Sequence, residues 1–461
     1  MKNHFVEQVI IFFSVSKWVL LSSFIGVIIG SIITLFLHAI TLSEQSQSFI
    51  PFHLYYLLPF GLMLSIYLIK TFAPNAQGHG TEKVIEAVHK DNAKIDVAVI
   101  PIKVVSTILT IFTGGSVGKE GPGAQIGAAT ASFISQIFKV SDVDRKKLVV
   151  CGISAGFATV FGTPISGAIF GVEVLIVGII MYDVLLPSFI SAFSAFATAK
   201  YLGITYTSYH MEFFTQAIPI NITLILEVML AGLFFGLVSD FVITFLKKVS
   251  KLIKRIDINM YLKAFLAGTF LILLSFIVGD EFFGLGLDTI SSLFYDNSNL
   301  ENSLPWYAFI MKAVFTSISL GAGGSGGVIT PIFYIGATSG HLFGTLIGDN
   351  IMLFAALGLT SVLSGTTNSP IAATIMAIEL FGIEIAHYAA ISAVISFLIT
   401  GHRSVFPSQI LSMSKSDMLN IDYGDTIDKS EVGLSNKSKA KMNRFKDKIR
   451  KKRDSLNKNK K

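Results

Sequence analysis

Charge is scarce in this chain. Asp, Glu, Lys and Arg make up 14% of its 461 residues, against roughly a quarter in an average soluble domain. That deficit argues against a soluble enzyme. No charged residue occurs from Trp18 to Ser43, Leu148 to Val172, Ala313 to Gly348, or Asn350 to Ile378. Runs this long and apolar can span a bilayer core, which takes ~20 residues of helix. The chain therefore reads as an all-α, polytopic membrane protein of about a dozen hydrophobic helices.

Cysteine is almost absent as well. Cys151 stands alone, which excludes an intramolecular disulfide and argues against a Cys-based metal site. Catalytic signatures are missing: there is no HExxH, no GxSxG, no Walker-type loop and no cluster of His and Asp ligands. No metal, no cofactor and no enzymatic activity are expected. The start of the chain lacks a cleavable signal peptide, because Trp18–Leu42 is too long for a signal's apolar core and has no small-residue cleavage pattern.

The basic charge is concentrated at one end. From Lys437 on there are 13 Lys/Arg against 2 Asp/Glu, which leaves 23 basic and 28 acidic residues elsewhere. A stretch so rich in Lys, Asn and Ser cannot build a core and is expected to be disordered. Anionic lipid is a nearer partner for it than nucleic acid, which is not expected, and a plain solvated tail that fixes topology is the other reading. Either way the C-terminus belongs in the cytoplasm, with the protein in the inner (plasma) membrane. The expected organisation is an N-terminal segment over 1–16, a membrane domain over 17–412 and a basic, disordered tail over 413–461.

What the chain does have is an internal repeat. Gly115-Ser-Val-Gly-Lys-Glu-Gly-Pro122, continuing to Gly127-Ala128, matches Gly324-Ser-Gly-Gly-Val-Ile-Thr-Pro331, continuing to Gly336-Ala337, at an offset of 209. Lys103 meets Lys312 at the same offset. Thr163-Pro164 through Glu173 matches Ser369-Pro370 through Glu379 at an offset of 206, and Gly78-His79-Gly80 faces Gly284-Leu285-Gly286 at that offset too. Two halves, about 17–203 and 215–401, thus carry one order of elements, joined by a polar, aromatic stretch around Thr205–Asn221. Repeated halves are typical of secondary transporters and related channels.

The repeated motifs suggest a chemistry. In each, a Gly-rich loop leads into Pro, a residue preferred where a helix begins. Helices are expected to start at Pro122 and Pro331 inside apolar surroundings. The unpaired N–H groups and positive dipole end of such a start attract an anion, and glycine lets the backbone approach it. Small residues can also serve close helix packing alone, but that accounts less well for the duplicated Pro. Glu120 precedes one start, and its counterpart is Ile329. It can cap its own helix, or act as a tethered competitor that opens the site when it swings out or takes a proton. Lys103 and Lys312 either snorkel or bias the interior potential toward anions. Glu173 and Glu379 occupy one place in both repeats, which favours a structural role in capping nearby backbone. His79 reads as a polar residue at a helix start, with ion contact as the alternative.

At these residues the chain resembles the CLC family of chloride channels and proton-coupled chloride transporters. The resemblance covers about Lys17 to Ser412. Gly118-Lys119-Glu120-Gly121-Pro122 is similar to the family's G(K/R)EGP motif, and Gly327-Val328-Ile329-Thr330-Pro331 to its GxFxP motif, with Ile329 in place of Phe. Gly78-His79-Gly80 lies where the GSGIP motif belongs but keeps only its glycines. Phe406 takes the position of an anion-coordinating Tyr. The resemblance implies an inverted-repeat helical fold of the bacterial type without CBS domains, a homodimer with one pore per subunit, and Glu120 as the gate. It implies an anion site built from Gly78, His79, Gly80, Gly118, Lys119, Gly121, Gly327, Val328, Ile329 and Phe406. His79 and Phe406 both lack the hydroxyl that typical members carry. Val174 stands where family exchangers commonly place a proton-transferring Glu, as in family channels. The expectation is channel-like passage of chloride or a similar small anion, with proton-coupled exchange as the alternative and a membrane-embedded enzyme or receptor as the remote rival.

Overall fold

Glycine and proline divide the apolar runs into shorter helices than their length suggests. In the computed structural model, which describes residues 2–46, 50, 52–206, 221–295 and 304–435, the charge-free stretch from Ala313 to Gly348 is not one helix. It breaks at the Gly-rich loop after Gly321 and restarts at Ile329. The run from Leu148 to Val172 breaks between Phe161 and Pro164. Sixteen α-helices result among the described residues, eight in each half. The first eight are α1 Lys2–Ser46, α2 Leu58–Phe72, α3 Thr81–Lys90, α4 Val99–Phe112, α5 Glu120–Ile137, α6 Asp142–Phe161, α7 Pro164–Glu173 and α8 Tyr182–Tyr201. The second eight are α9 Ile222–Arg255, α10 Met260–Val278, α11 Leu287–Tyr295, α12 Ala308–Gly321, α13 Ile329–Ile347, α14 Ile351–Thr367, α15 Pro370–Phe381 and α16 Ala386–Thr400. Each helix of the first set has its counterpart in the second in the same order. Among the described residues five are long and apolar enough to cross a membrane: α1, α2 with the turn before it, α8, α9 and α10. Helices such as α4, α12, α14 and α15 have only 12 to 17 residues and fall short of the ~20 that a full crossing takes.

The halves meet around a local two-fold axis. Gly118 and Gly327 are repeat counterparts, and they bond to each other as an isolated antiparallel bridge, Gly118 N to Gly327 O at 2.7 Å and Gly327 N to Gly118 O at 2.6 Å. A residue that pairs reciprocally with its own counterpart lies on the symmetry axis. Hydroxyls repeat the symmetry around it. Ser116 N donates to Ser319 Oγ at 3.2 Å and Ser325 N to Thr110 Oγ1 at 3.1 Å. Ser116 Oγ meets Thr316 Oγ1 at 3.0 Å, and Ser325 Oγ meets Thr107 Oγ1 at 3.1 Å. These buried hydroxyls find their partners across the repeat interface, as buried polar groups must. The arrangement is an inverted repeat, as the resemblance implied.

Glu173 and Glu379 close the same symmetry farther out. Glu173 ends α7 and accepts from Ile371 N at 3.1 Å and Ala372 N at 2.8 Å, in the first turn of α15. Glu379, in α15, accepts from Ile165 N at 2.9 Å and Ser166 N at 2.7 Å, in the first turn of α7. Each helix caps the other's orphan N–H groups with a carboxylate, the structural role their duplication suggested.

Three boundaries differ from the sequence expectation. Residues 1–16 do not form a separate segment as far as they are described: α1 runs from Lys2 without a break, because no Gly or Pro occurs before Gly26. The helices at the two Gly-Pro motifs begin at Glu120 and Ile329 rather than at the prolines, so each Pro sits third in its helix, where its missing N–H is still among the orphans. The expected disorder from residue 413 on is wrong for 413–435. There Leu419–Asn420 pairs with Gly433–Leu434, Ile421 is buried with Val177, Phe397 and Leu411, and Lys415 Nζ donates to Asn368 Oδ1 at 2.7 Å and Phe397 O at 2.6 Å. Only two basic residues, Lys415 and Lys429, occur from 413 to 435, so apolar side chains such as Ile421 are still free to pack. The basic tail itself, 436–461, and most of the inter-repeat stretch, 207–220, lie outside the described residues.

Candidate functional site

Three helix starts converge beside the two-fold axis: α3 after Gly78-His79-Gly80, α5 after Gly118-Lys119, and α13 after Gly327-Val328. Glycine makes the convergence possible. Gly80 has φ 74°, and a Cβ there would sit 3.0 Å from Pro122 N. A Cβ on Gly121 would sit 2.9 Å from Gly327 Cα, and one on Gly327 would sit 2.7 Å from Gly121 N. No side chain fits between these backbones. The orphan N–H groups and positive dipole ends of helices from both repeats are thereby held in one buried region, the requirement for an anion site.

Glu120 occupies that region. It is 1% exposed. Its carboxylate does not merely favour its own helix. Oε2 accepts from Thr330 N at 3.1 Å, and Oε1 accepts from Thr330 Oγ1 at 2.5 Å. The negative group of one repeat thus caps the start of α13 in the other. A free anion at the start of α13 would need the same donors. Thr330 was not singled out from the sequence, although it stood in view: it directly precedes Pro331, and its counterpart is Gly121. A hydroxyl in one repeat and a carboxylate one position earlier in the other are complementary once the axis brings the two loops together.

Both lysines are fully buried and do not snorkel. Lys103 Nζ donates to Ala76 O at 2.9 Å and Gly78 O at 2.8 Å. Lys312 Nζ donates to Phe282 O at 3.1 Å and Gly284 O at 2.9 Å, and lies 5.0 Å from the centroid of the Tyr334 ring. Each ammonium gathers the carbonyls of the glycine turn that leads into α3 or α11. These turns need glycine, with φ of 88° and 74° at Gly78 and Gly80 and 59° and 75° at Gly284 and Gly286. The snorkelling alternative fails because the chain offers each ammonium two carbonyl acceptors inside the protein.

The other expected site residues fall into two groups. Val328 and Ile329 are buried at the start of α13, and Lys119 is half-buried as the residue before α5. They share the region with Glu120. His79 lies in the turn before α3, its carbonyl against Gly121, and its Nδ1 is buried with no hydrogen-bond partner among the described residues. Phe406 is buried in the loop after α16. That loop reaches the start of α3 through Ser408, whose N and Oγ donate to Glu82 Oε1 at 3.1 and 2.5 Å. The structure therefore ties the Phe406 loop to the start of α3, and Phe406 packs in the same buried cluster as Val328 and Ile329.

Comparison with known proteins agrees with this geometry. The family model described as voltage gated chloride channel matches residues 61–401. The chain is 32% identical to a chloride/fluoride channel protein of Pseudomonas syringae pv. tomato, over 89% of this chain and 90% of that one. It is 26% identical to an H(+)/Cl(-) exchange transporter of Vibrio vulnificus, over 87% and 90%. Among solved structures, a CLC-type fluoride/proton antiporter superposes with a TM-score of 0.80 at 30% identity, covering 87% of this chain and 99% of that one. The convergent helix starts, the inverted repeat and these matches have one meaning: the chain is a membrane protein that belongs to the CLC family of voltage gated chloride channels and anion transporters.

Proposed function

We propose that this protein moves a small monovalent anion, fluoride or chloride, across the membrane in exchange for protons, with Glu120 as the gate. The observation that carries the reading is the Glu120 carboxylate bonded to the first turn of α13. An anion can take those donors only when the carboxylate leaves. Taking a proton removes the charge that holds it there, so each opening is linked to a proton. Fluoride and chloride are named because the relatives at 30% and 32% identity are described as acting on them. The donors at the site are backbone N–H groups and one hydroxyl, which suit any small anion.

The second reading is an uncoupled channel, and Val174 favours it. A purified preparation in liposomes separates the two. In a proton exchanger, a fluoride or chloride gradient drives proton movement against a pH gradient, and the reversal potential follows pH. If the anion moves freely while protons stay put, the exchange reading is wrong and the channel reading holds. We further infer a homodimer with one path per subunit and a cytoplasmic C-terminus, which cross-linking and protease protection of a C-terminal epitope would test.

A further inference from the structure

The loop after α16, residues 401–411, is held from two sides. On one side it bonds to the ends of membrane helices. Val405 N donates to Thr366 O at 2.9 Å, in the last turn of α14, and Ile410 N to Leu175 O at 3.3 Å, just after α7. Buried Gln409 spans the two repeats, its Nε2 donating to Val174 O at 2.7 Å and to Thr367 O at 2.8 Å. On the other side the loop is covered by the segment 413–435. Leu411 N donates to Asp425 O and Leu411 O accepts from Gly424 N, both at 2.9 Å. Ile427 N donates to Gln409 O at 2.9 Å and Asp428 N to Pro407 O at 3.2 Å.

Lys415 pins that covering segment. Its Nζ, bonded to Asn368 Oδ1 and Phe397 O, also lies 3.7 Å from the centroid of the Phe397 ring. Its backbone N donates to His402 Nε2 at 2.9 Å. Asn368 passes the connection on, with Nδ2 donating to Gln409 Oε1 at 3.2 Å and to Arg403 O at 3.1 Å. One ammonium thus joins the C-terminal segment to α14, to α16 and to the loop.

The same loop reaches the candidate site. Ser408, the neighbour of Gln409, bonds through N and Oγ to Glu82 in the first turn of α3, and both Glu82 oxygens are engaged, Oε2 by Ser408 N at 3.4 Å. Helix α3 has ten residues, fewer than the ~12–15 at which an isolated helix becomes even marginally stable. Its placement therefore depends on contacts such as this one. The turn before it lies directly on the start of α5: a Cβ on Gly80 would fall on Gly121 O, and one on Gly121 would fall on His79 O. Each joint from Lys415 inward is a contact: Lys415 with Asn368, Asn368 with Gln409, Ser408 with Glu82, and the α3 turn with Gly121, the neighbour of Glu120.

We propose that residues 413–435 form a strap that positions the start of α3 at the anion site, with Lys415 as its pin and the Ser408–Glu82 contact as its link. The inference rests on the reading of the converging helix starts as that site. Lys415 and Glu82 are positioning residues, each acting through the α3 turn rather than on the anion.

The test is calorimetric titration of the purified full-length protein with fluoride and with chloride, beside its melting temperature. Lys415→Met is expected to weaken anion binding by about fivefold or more, the low end of couplings between separate sites. Lys415→Arg, which still has donors for both oxygens, is expected to keep it. Glu82→Ala cuts the link and is expected to weaken binding similarly. The double variant should lose no more than the larger single loss, because both changes break one connection. A Lys415→Met protein that melts lower but binds both anions like wild type makes the lysine a structural residue only and overturns the strap. Losses that add in the double variant overturn the link through Glu82. Should either variant fail to fold, Ser408→Ala, which removes only the hydroxyl bond to Glu82, decides by the same titration: weaker binding supports the strap and unchanged binding refutes it. A wild type that binds neither anion overturns the site reading and the strap together.

Discussion

Replacing Glu120 by Gln tests the gate most directly, because the side chain keeps its shape and loses its charge. In the wild type the carboxylate accepts two hydrogen bonds from Thr330, at 3.1 and 2.5 Å. A hydrogen bond to a charged group contributes about 1.5–3 kcal/mol net, and a neutral one about 0.5–1.5 kcal/mol. The amide also has only one oxygen to offer the two donors. The closed position is therefore weakened by roughly 2–3 kcal/mol relative to an anion at the same donors, which corresponds to about 30- to 150-fold in the competition. Calorimetric titration of the purified variant with fluoride or chloride should show an apparent affinity tighter by about that factor. Flux in liposomes should lose its pH dependence, since Gln cannot take the proton that opens the wild-type gate. An apparent affinity and a pH profile both unchanged from wild type would show that the carboxylate does not compete with the anion at α13.

Three further outcomes follow from the geometry. Phe406→Tyr should tighten chloride binding if the ring lines the anion path, since the added hydroxyl can donate a bond worth about 1.5–3 kcal/mol to a charged partner; calorimetry showing no change would place Phe406 off the path. Lys103→Met and Lys312→Met each leave two buried carbonyls unpaired at about 1–3 kcal/mol apiece, so both should lower the unfolding temperature by similar amounts, and a variant that melts like wild type would refute the cross-linking role. Gly121→Ala puts a methyl group against His79 O and 2.9 Å from Gly327 Cα, which should prevent recovery of monodisperse protein in detergent, whereas Gly433→Ala, with open space around it, should behave as wild type; a well-folded Gly121→Ala would mean that the three helix starts are less closely packed than described.

What could be read from the sequence was what the chain says twice. Gly118 and Gly327, Lys103 and Lys312, and the prolines after each loop stood at an offset of 209, Glu173 and Glu379 at 206, and duplication alone marked them as parts of one device. What could not be read was which member of one repeat touches which member of the other. Glu173 and Glu379 were expected to cap backbone, but that each caps the opposite repeat depends on an axis that no linear pattern contains. Thr330 was missed for the same reason. Its counterpart is Gly121, so it broke the repeat rather than announcing it, and its role exists only because the axis lays the start of α13 against Glu120.

That asymmetry is where the function departs from the scaffold. The contacts that recur around the axis come in two copies: the glycine bridge, the hydroxyl pairs beside it, the lysine clasp in each repeat and the reciprocal carboxylate caps. Glu120 with Thr330 occurs once, because Ile329 and Gly121 stand at the equivalent positions. A structural cap required by the fold would be needed at both helix starts, as Glu173 and Glu379 are. The start of α5 lacks such a carboxylate from the other repeat, yet its backbone is as closely packed as that of α13. The Glu120–Thr330 pair therefore lies outside the paired contacts of the axis, and a carboxylate buried there is costly unless its donors hold it. The gate proposed at Glu120 can accordingly open without unmaking those paired contacts.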